Sequence, residues 1–252
     1  NCEEKDEWGS PRVWKEKVFL PSDKRVVALD RRTGKKAWSF DEFGGVIAAG
    51  GGKVFCLQIN EAEKSSGVSK LVALDADKGT PLWNKDMRVG GKLTKRMMAY
   101  SEEQDRLITG EGSYKGQNGE SIHGGAPSRR DTSAYGAWTL ILKNKVFDIN
   151  GPKFLGGLKD IASGAPIKYA DPITGTDAFD AVDRGRSHLT FGCGPALAGE
   201  TLATFRIDTA AYYDFLNHSG VCNIGGIRPA CTAGMIPADG VASILNNNIC
   251  IC

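Results

Sequence analysis

The chain has 252 residues, with 32 basic and 30 acidic side chains and a formal net charge of +2. So even a balance implies no nucleic-acid or membrane-surface partner, and no apolar run approaches the roughly 18 residues that a membrane-spanning helix needs. The 32 glycines point to recurrent tight turns, and the length is ample for one domain with its own core.

In chain order, the charged opening Asn1-Cys2-Glu3-Glu4-Lys5-Asp6 shows no secretory leader and reads as the start of a mature product. The first clear strand is Val26-Val27-Ala28-Leu29, which ends at Asp30, with Gly34 four residues later and Trp38 four beyond that. Asp30 can accept hydrogen bonds from the amides of the turn. Gly34 can take the positive φ that closes a hairpin, and Trp38 then falls on the outgoing strand. There its indole can cover the adjacent sheet and donate its N–H to a carbonyl. Lys53 to Gln58 is a second apolar run in which Cys56 reads as a buried strand residue.

The same device returns 45 residues later: Leu71-Val72-Ala73-Leu74, then Asp75, Gly79 and Trp83. The polar stretch from Ser101 to Arg106, with Glu102, Glu103 and Asp105, reads as a hairpin loop before Leu107-Ile108-Thr109. From Gly110 to Tyr135 no strand pattern is visible; Tyr114, His123, Arg129, Arg130 and Tyr135 make this loop the candidate partner surface. A third copy, with Asp171, Gly175 and Phe179, keeps the aromatic bulk of the pattern but not the indole donor.

Self-similarity at about 45 residues, each copy being strand, turn, strand, marks radially repeated four-stranded blades. The expected fold is all-β, a β-propeller of antiparallel blades, with about five to six blades in the length available. Residues 1–252 are read as one propeller domain, or a piece of a larger one. The clearest repeats lie at 18–40 and 68–86, a degenerate one at 167–182, and a Cys-rich set of blades at 187–252. One blade with an illegible motif is expected between Asp75 and Asp171.

Five of the seven cysteines fall in the last quarter of the chain: Cys193, Cys222, Cys231, Cys250 and Cys252. Cys250 and Cys252 would point to one face of a strand, so separate partners suit them better than each other. Cys193, Cys231, Cys250 and Cys252 are the candidate disulfide cysteines, in an order the sequence does not fix, and such bonds imply an oxidising location. Zinc held by His188, Cys193, His218 and Cys222 is the rival reading, but the spacing matches no common zinc module and no Cys-x-x-Cys occurs. No nucleophile elbow is present, and Gly50-Gly51-Gly52 precedes a strand rather than a helix, so it is a turn and not a phosphate cradle.

The pattern Ala-x-Asp-x-x-Thr-Gly-x-x-x-Trp resembles the tryptophan-docking motif of the pyrroloquinoline quinone (PQQ)-like propeller superfamily. The first copy fits throughout, and the second has Lys78 in place of Thr. The later stretch is similar to the C-terminal part of the PQQ-like repeat proteins abundant in Planctomycetes. Its matching pieces are Gly225-Gly226-Ile227-Arg228-Pro229-Ala230-Cys231, Ile236-Pro237-Ala238-Asp239-Gly240 and Cys250-Ile251-Cys252. The resemblance implies a non-catalytic propeller that scaffolds or binds protein partners in the cell envelope or outside the cell. Its partner would be another protein, a further chain segment or another subunit completing the ring. The alternative it implies is a fragment of a PQQ-dependent oxidoreductase. Those enzymes are about twice as long, bind a quinone with calcium, and often carry an adjacent Cys–Cys pair. No such pair occurs here, so no residue is carried over as a cofactor ligand or catalytic base and no cofactor or metal is assigned.

Overall fold

A computed structural model describes residues 9, 11–22, 24–41, 46–58, 68–88, 98–109, 112–122, 138–142, 144–149, 157–168, 170, 173, 175, 197–199, 201–207, 209–217, 221–227, 229, 235–238 and 241–244. Among the described residues the fold is all-β, with five four-stranded antiparallel sheets and one two-stranded sheet. Each four-stranded sheet runs in simple sequence order, the blade of a β-propeller. The chain forms two compact units, residues 1–123 and 124–252.

The first unit holds three blades. The first is β1 (Arg12–Trp14), β2 (Lys17–Pro21), β3 (Val26–Asp30) and β4 (Lys36–Phe40). The second is β5 (Val46–Gly50), β6 (Lys53–Gln58), β7 (Val68–Asp75) and β8 (Pro81–Arg88), and the third is β9 (Met98–Ser101), β10 (Arg106–Thr109), β11 (Gly112–Lys115) and β12 (Ser121–Ile122). Each clear sequence copy supplies a third strand, a turn and a fourth strand. The register slips between Ala28 and Leu29 and again between Ala73 and Leu74, which sets Trp38 opposite Ala28 and Trp83 opposite Ala73.

The middle blade explains why its strands read as unbroken apolar runs. Its Ile47, Val54, Cys56, Val72 and Leu74 pack with Phe19, Val26, Ala28 and Trp38 of the first blade. Alternate residues Ala48, Phe55, Leu71 and Ala73 pack with Met98, Leu107 and Tyr114 of the third. Successive side chains on a strand point to opposite faces, so a sheet covered on both sides needs apolar residues at every position. Cys56 sits fully inside, and burial pushes its thiol pKa far up.

The second unit holds two more blades and a hairpin. The fourth blade is β13 (Trp138–Leu142), β14 (Lys145–Ile149), β15 (Gly157–Asp160) and β16 (Pro166–Ile167). The fifth is β17 (Leu197–Ala198), β18 (Leu202–Ile207), β19 (Thr209–Asp214) and β20 (Val221–Ile224), followed by the hairpin β21 (Met235–Ala238) and β22 (Val241–Ile244). Thr204 Oγ1 donates to the Met235 carbonyl at 2.9 Å, tying the hairpin to the fifth blade.

Two departures from the sequence reading stand out. Residues 112–122 are not loop but β11, a turn and β12, and Tyr114 is buried rather than displayed. Two blades, not one, lie between Asp75 and Asp171. The third has Lys115 in place of the turn Asp, and the fourth has Lys168 where the pattern has Trp.

Candidate functional site

The turn between the third and fourth strands is a recurrent unit in which a carboxylate accepts hydrogen bonds from backbone amides. In the first blade Asp30 N–H donates to the Lys35 carbonyl at 2.8 Å, and Gly34 N–H donates to the Asp30 carbonyl at 2.9 Å. Asp30 Oδ1 accepts from Thr33 N at 2.7 Å, Thr33 Oγ1 at 2.7 Å and Arg32 N at 3.1 Å. The Thr33 hydroxyl above all, then the turn amides, hold the Asp30 carboxyl below the usual range. Asp75 repeats the pattern with Asp77 N and Lys78 N, both at 2.8 Å. With Lys78 in the Thr position, the hydroxyl bond is lost and the turn is kept.

The same frame recurs where the sequence reading missed it. Lys115 N–H donates to the Glu120 carbonyl and Gly119 N–H to the Lys115 carbonyl; Asp160, Ala165 and Gly164 do the same in the fourth blade. The turn glycines Gly34, Gly79, Gly119 and Gly164 all have φ between 69 and 73°. In the fourth blade Asp160 Oδ1 accepts from Ala162 N, Ser163 N and Ser163 Oγ. In the fifth, Asp214 Oδ1 accepts from Leu216 N and Asn217 N. The residue after the first turn position also donates to the neighbouring hairpin in every blade: Arg31 to Glu16, Ala76 to Gly52, Gly116 to Asp105, Ile161 to Asn144 and Phe215 to Thr201.

The third blade solves a missing residue. Lys115 stands where the other four have Asp, and the carboxylate comes instead from Asp105 on the adjoining hairpin turn. Asp105 Oδ2 accepts from Gln117 N at 3.1 Å, and Oδ1 accepts from Tyr100 Oη at 2.7 Å. Burial first, then the Asp105 hydrogen bond, pushes the Tyr100 phenol far above its ordinary pKa, so it stays protonated and donates. Lys115 turns outward to pair with Glu120, which raises the pKa of the lysine and lowers that of the glutamate.

Trp38 and Trp83 both reach across to the next blade. Trp38 Nε1 donates to the Ala76 carbonyl at 3.0 Å inside the core, and its ring lies over Gly79, where a Cβ would stand 2.6 Å from Cδ2. Trp83 Nε1 donates to the Gly116 carbonyl at 2.9 Å, and its ring covers Gly119. Lys17 pairs with Asp77, a second link between the first two blades, and it is chiefly this hydrogen bond that holds the Asp77 carboxyl low. Trp14 Nε1 donates to Glu102 Oε2 at 3.3 Å, joining the first blade to the third.

The remaining predicted residues are placed as follows. Gly175 is exposed with φ 69°, while its companions Asp171 and Phe179 lie outside the described residues, as do Cys193, Cys231, Cys250 and Cys252. His123, Arg129, Arg130 and Tyr135 of the candidate partner loop also fall outside them. Cys56 and Cys222 are free thiols. Cys222 lies across from Tyr212, and their hydrogen bond is the main cause of a raised Tyr212 pKa. Among the described residues no group of three or more His, Cys, Asp or Glu side chains is placed to hold a metal ion.

The turns, the indole contacts and the blade order all belong to one repeat, and comparison with known proteins gives the repeat a family. Residues 22–120, which span most of the first three blades, match the family model described as outer membrane protein assembly factor BamB, a PQQ-type repeat. Residues 22–120 are PQQ-like propeller repeats. BamB from Moraxella catarrhalis is similar in structure with a TM-score of 0.52 and 14% identity, over 89% of this chain and 65% of that one. That likeness is one of fold, and this chain spans less than two thirds of the length of that BamB. A quinohemoprotein alcohol dehydrogenase from Pseudomonas putida HK5 aligns at a TM-score of 0.44 and 19% identity, over 81% of this chain and 44% of that one. A europium-containing methanol dehydrogenase aligns at 0.47 and 13%, over 85% and 55%. No curated protein matches the sequence.

Proposed function

We propose that this chain is a non-catalytic propeller that binds a partner protein in the cell envelope. The observation that carries the reading is the match of residues 22–120 to an outer membrane protein assembly factor. The geometry supports it. Asp30, Asp75, Asp105, Asp160 and Asp214 spend their carboxylates on backbone amides of their turns, and the two indoles spend their N–H groups on carbonyls of the next blade. Groups committed in this way build a frame and are poor candidates for acid–base chemistry. Trp38 and Trp83 are on this reading docking residues. Cys193, Cys231, Cys250 and Cys252 are paired in disulfides, which suits an oxidising compartment.

Two measurements on the protein isolated from its native cells test the proposal. Photo-crosslinking from residues on the exposed turns gives the same protein adduct in repeated preparations if the reading holds. Absorbance and metal analysis decide against it if they reveal a stoichiometric quinone with calcium.

A further inference from the structure

We infer that the turn of the first blade, Asp30 to Lys36, is a docking point for a carboxylate-rich segment of a partner protein. The inference rests on the protein-binding reading above and names the surface and the chemistry of the partner. Arg31, Arg32, Lys35 and Lys36 fall within six residues and all are exposed. Arg32 is held by Glu16 through Nε at 2.9 Å, which leaves Arg31, Lys35 and Lys36 to face solvent. Lys15, on the adjoining hairpin turn, lies 4.3 Å above the Trp14 ring and adds a further cation.

The acids nearby are already engaged. Asp30 Oδ1 accepts from three donors of its own turn, Glu16 pairs with Arg32, and Asp77 of the neighbouring turn pairs with Lys17. The four other turns differ: Asp77 and Lys78, Lys115 with Glu120, Ala162 with Ser163, and Leu216 with Asn217 carry little or no net charge. Of the five turns among the described residues, the first is therefore the one with a fixed positive field. Its backbone is rigidly framed by the Asp30, Gly34 and Arg31 amide bonds, so little conformational freedom is lost when a ligand docks.

The kind of partner follows from what accompanies the cations. Residues 31–37 contain no large apolar side chain to enter a bilayer, Trp38 is buried, and the half-buried Trp14 of the adjoining turn is covered by Lys15 and donates its N–H to Glu102. With no exposed ring on the turn, single-stranded bases have no stacking platform. Arginine forks beside lysines suit planar carboxylates, which they bind through paired charge-assisted hydrogen bonds.

The probe is a fluorescein-labelled twelve-residue peptide alternating glutamate, aspartate and glycine, followed by fluorescence anisotropy at about 0.02 M salt, where screening is weak. The unaltered chain binds it, and affinity falls as salt is raised to about 0.2 M. Arg31→Glu with Lys36→Glu weakens binding at least about tenfold, and Arg31→Gln with Lys36→Gln lies between. Lys24→Glu with Lys70→Glu makes the same change in net charge from the opposite end of the strands and alters affinity less than about twofold. Equal losses in the two charge-reversed proteins overturn the inference. So does tighter binding of anionic phosphatidylglycerol vesicles or of single-stranded DNA. A chain that ignores the peptide yet still gives a protein crosslink removes the docking point and leaves the binding role standing.

Discussion

The contact between an indole and the glycine beneath it allows a matched pair of substitutions to measure what the overlap between blades contributes. Gly34 and Gly79 occupy the same place in successive turns, with φ 69 and 73°. Alanine at either pays the same left-handed penalty, about 1–2 kcal/mol. Around Gly34 a new Cβ would meet nothing within 4 Å, whereas at Gly79 it would stand 2.6 and 2.7 Å from Cδ2 and Cε3 of Trp38. That indole is 9% exposed, anchored to the Ala76 carbonyl and packed 5.7 Å from the Phe19 ring. It has little room to retreat, and overpacking of this kind costs a further 1–3 kcal/mol or so. Gly34→Ala is expected to lose about 1–2 kcal/mol and Gly79→Ala about 2–5, read as midpoint shifts at constant m in urea melts followed by tryptophan fluorescence. Gly119→Ala, beneath the less buried Trp83, falls between them. If Gly79→Ala costs no more than Gly34→Ala, the indole does not bear on the turn and the reasoning fails.

Three further outcomes follow from the turns and cysteines. Asp105→Asn should lose about 1–3 kcal/mol, and Lys115→Asp in that background should restore part of it by giving the third turn a carboxylate of its own. Strict additivity in urea melts would rule out the substitution of one acid for the other. Asp30 titrates below an unfolded aspartate, so the stability it contributes is complete above the unfolded pKa and drains away as pH falls below about 4. Carboxyl-carbon NMR should show its pKa rising towards the ordinary value in Thr33→Val, and an unchanged value would show that the hydroxyl is not the main cause. Alkylation of the unreduced, denatured chain should label Cys56 and Cys222 and spare Cys193, Cys231, Cys250 and Cys252; modification of all six would refute the proposed pairing.

The legibility of the blades in the sequence tracks how local their chemistry is. The first two announce themselves because Asp, Gly and Trp all lie within nine residues, and each performs its task on a near neighbour or on a repeat of itself. The third is illegible because its carboxylate, Asp105, lies ten residues upstream of Lys115, on a different turn. Nothing in a linear pattern joins the two until β10 and β11 pair. The fourth was readable in part, since Asp160, Ser163 and Gly164 copy Asp30, Thr33 and Gly34. Without a tryptophan after it, the copy did not stand out against the similar run from Asp171 to Gly175. Tyr114 reads as a contact residue in the sequence because it lies in a glycine-rich stretch, Gly110 to Tyr135, with no visible strand pattern; its neighbours on the strand are Ser113 and Lys115. The pleat sends those neighbours the other way, and the tyrosine goes inward against Leu107 and Met98.

The contacts of Trp38 and Trp83 point in one direction, from a blade to the one that follows it in the chain. Trp38 finds its glycine 41 residues later, at position 79, and Trp83 finds its own at 119. On a ribosome adding about 5–20 residues per second, the first indole therefore emerges about 2–8 s before its shelter exists. The first and second blades each pass through an interval with a bare tryptophan face, and the arrival of the next blade ends it. Assembly of the first three blades is thus ordered by synthesis itself, with each blade sealing its predecessor.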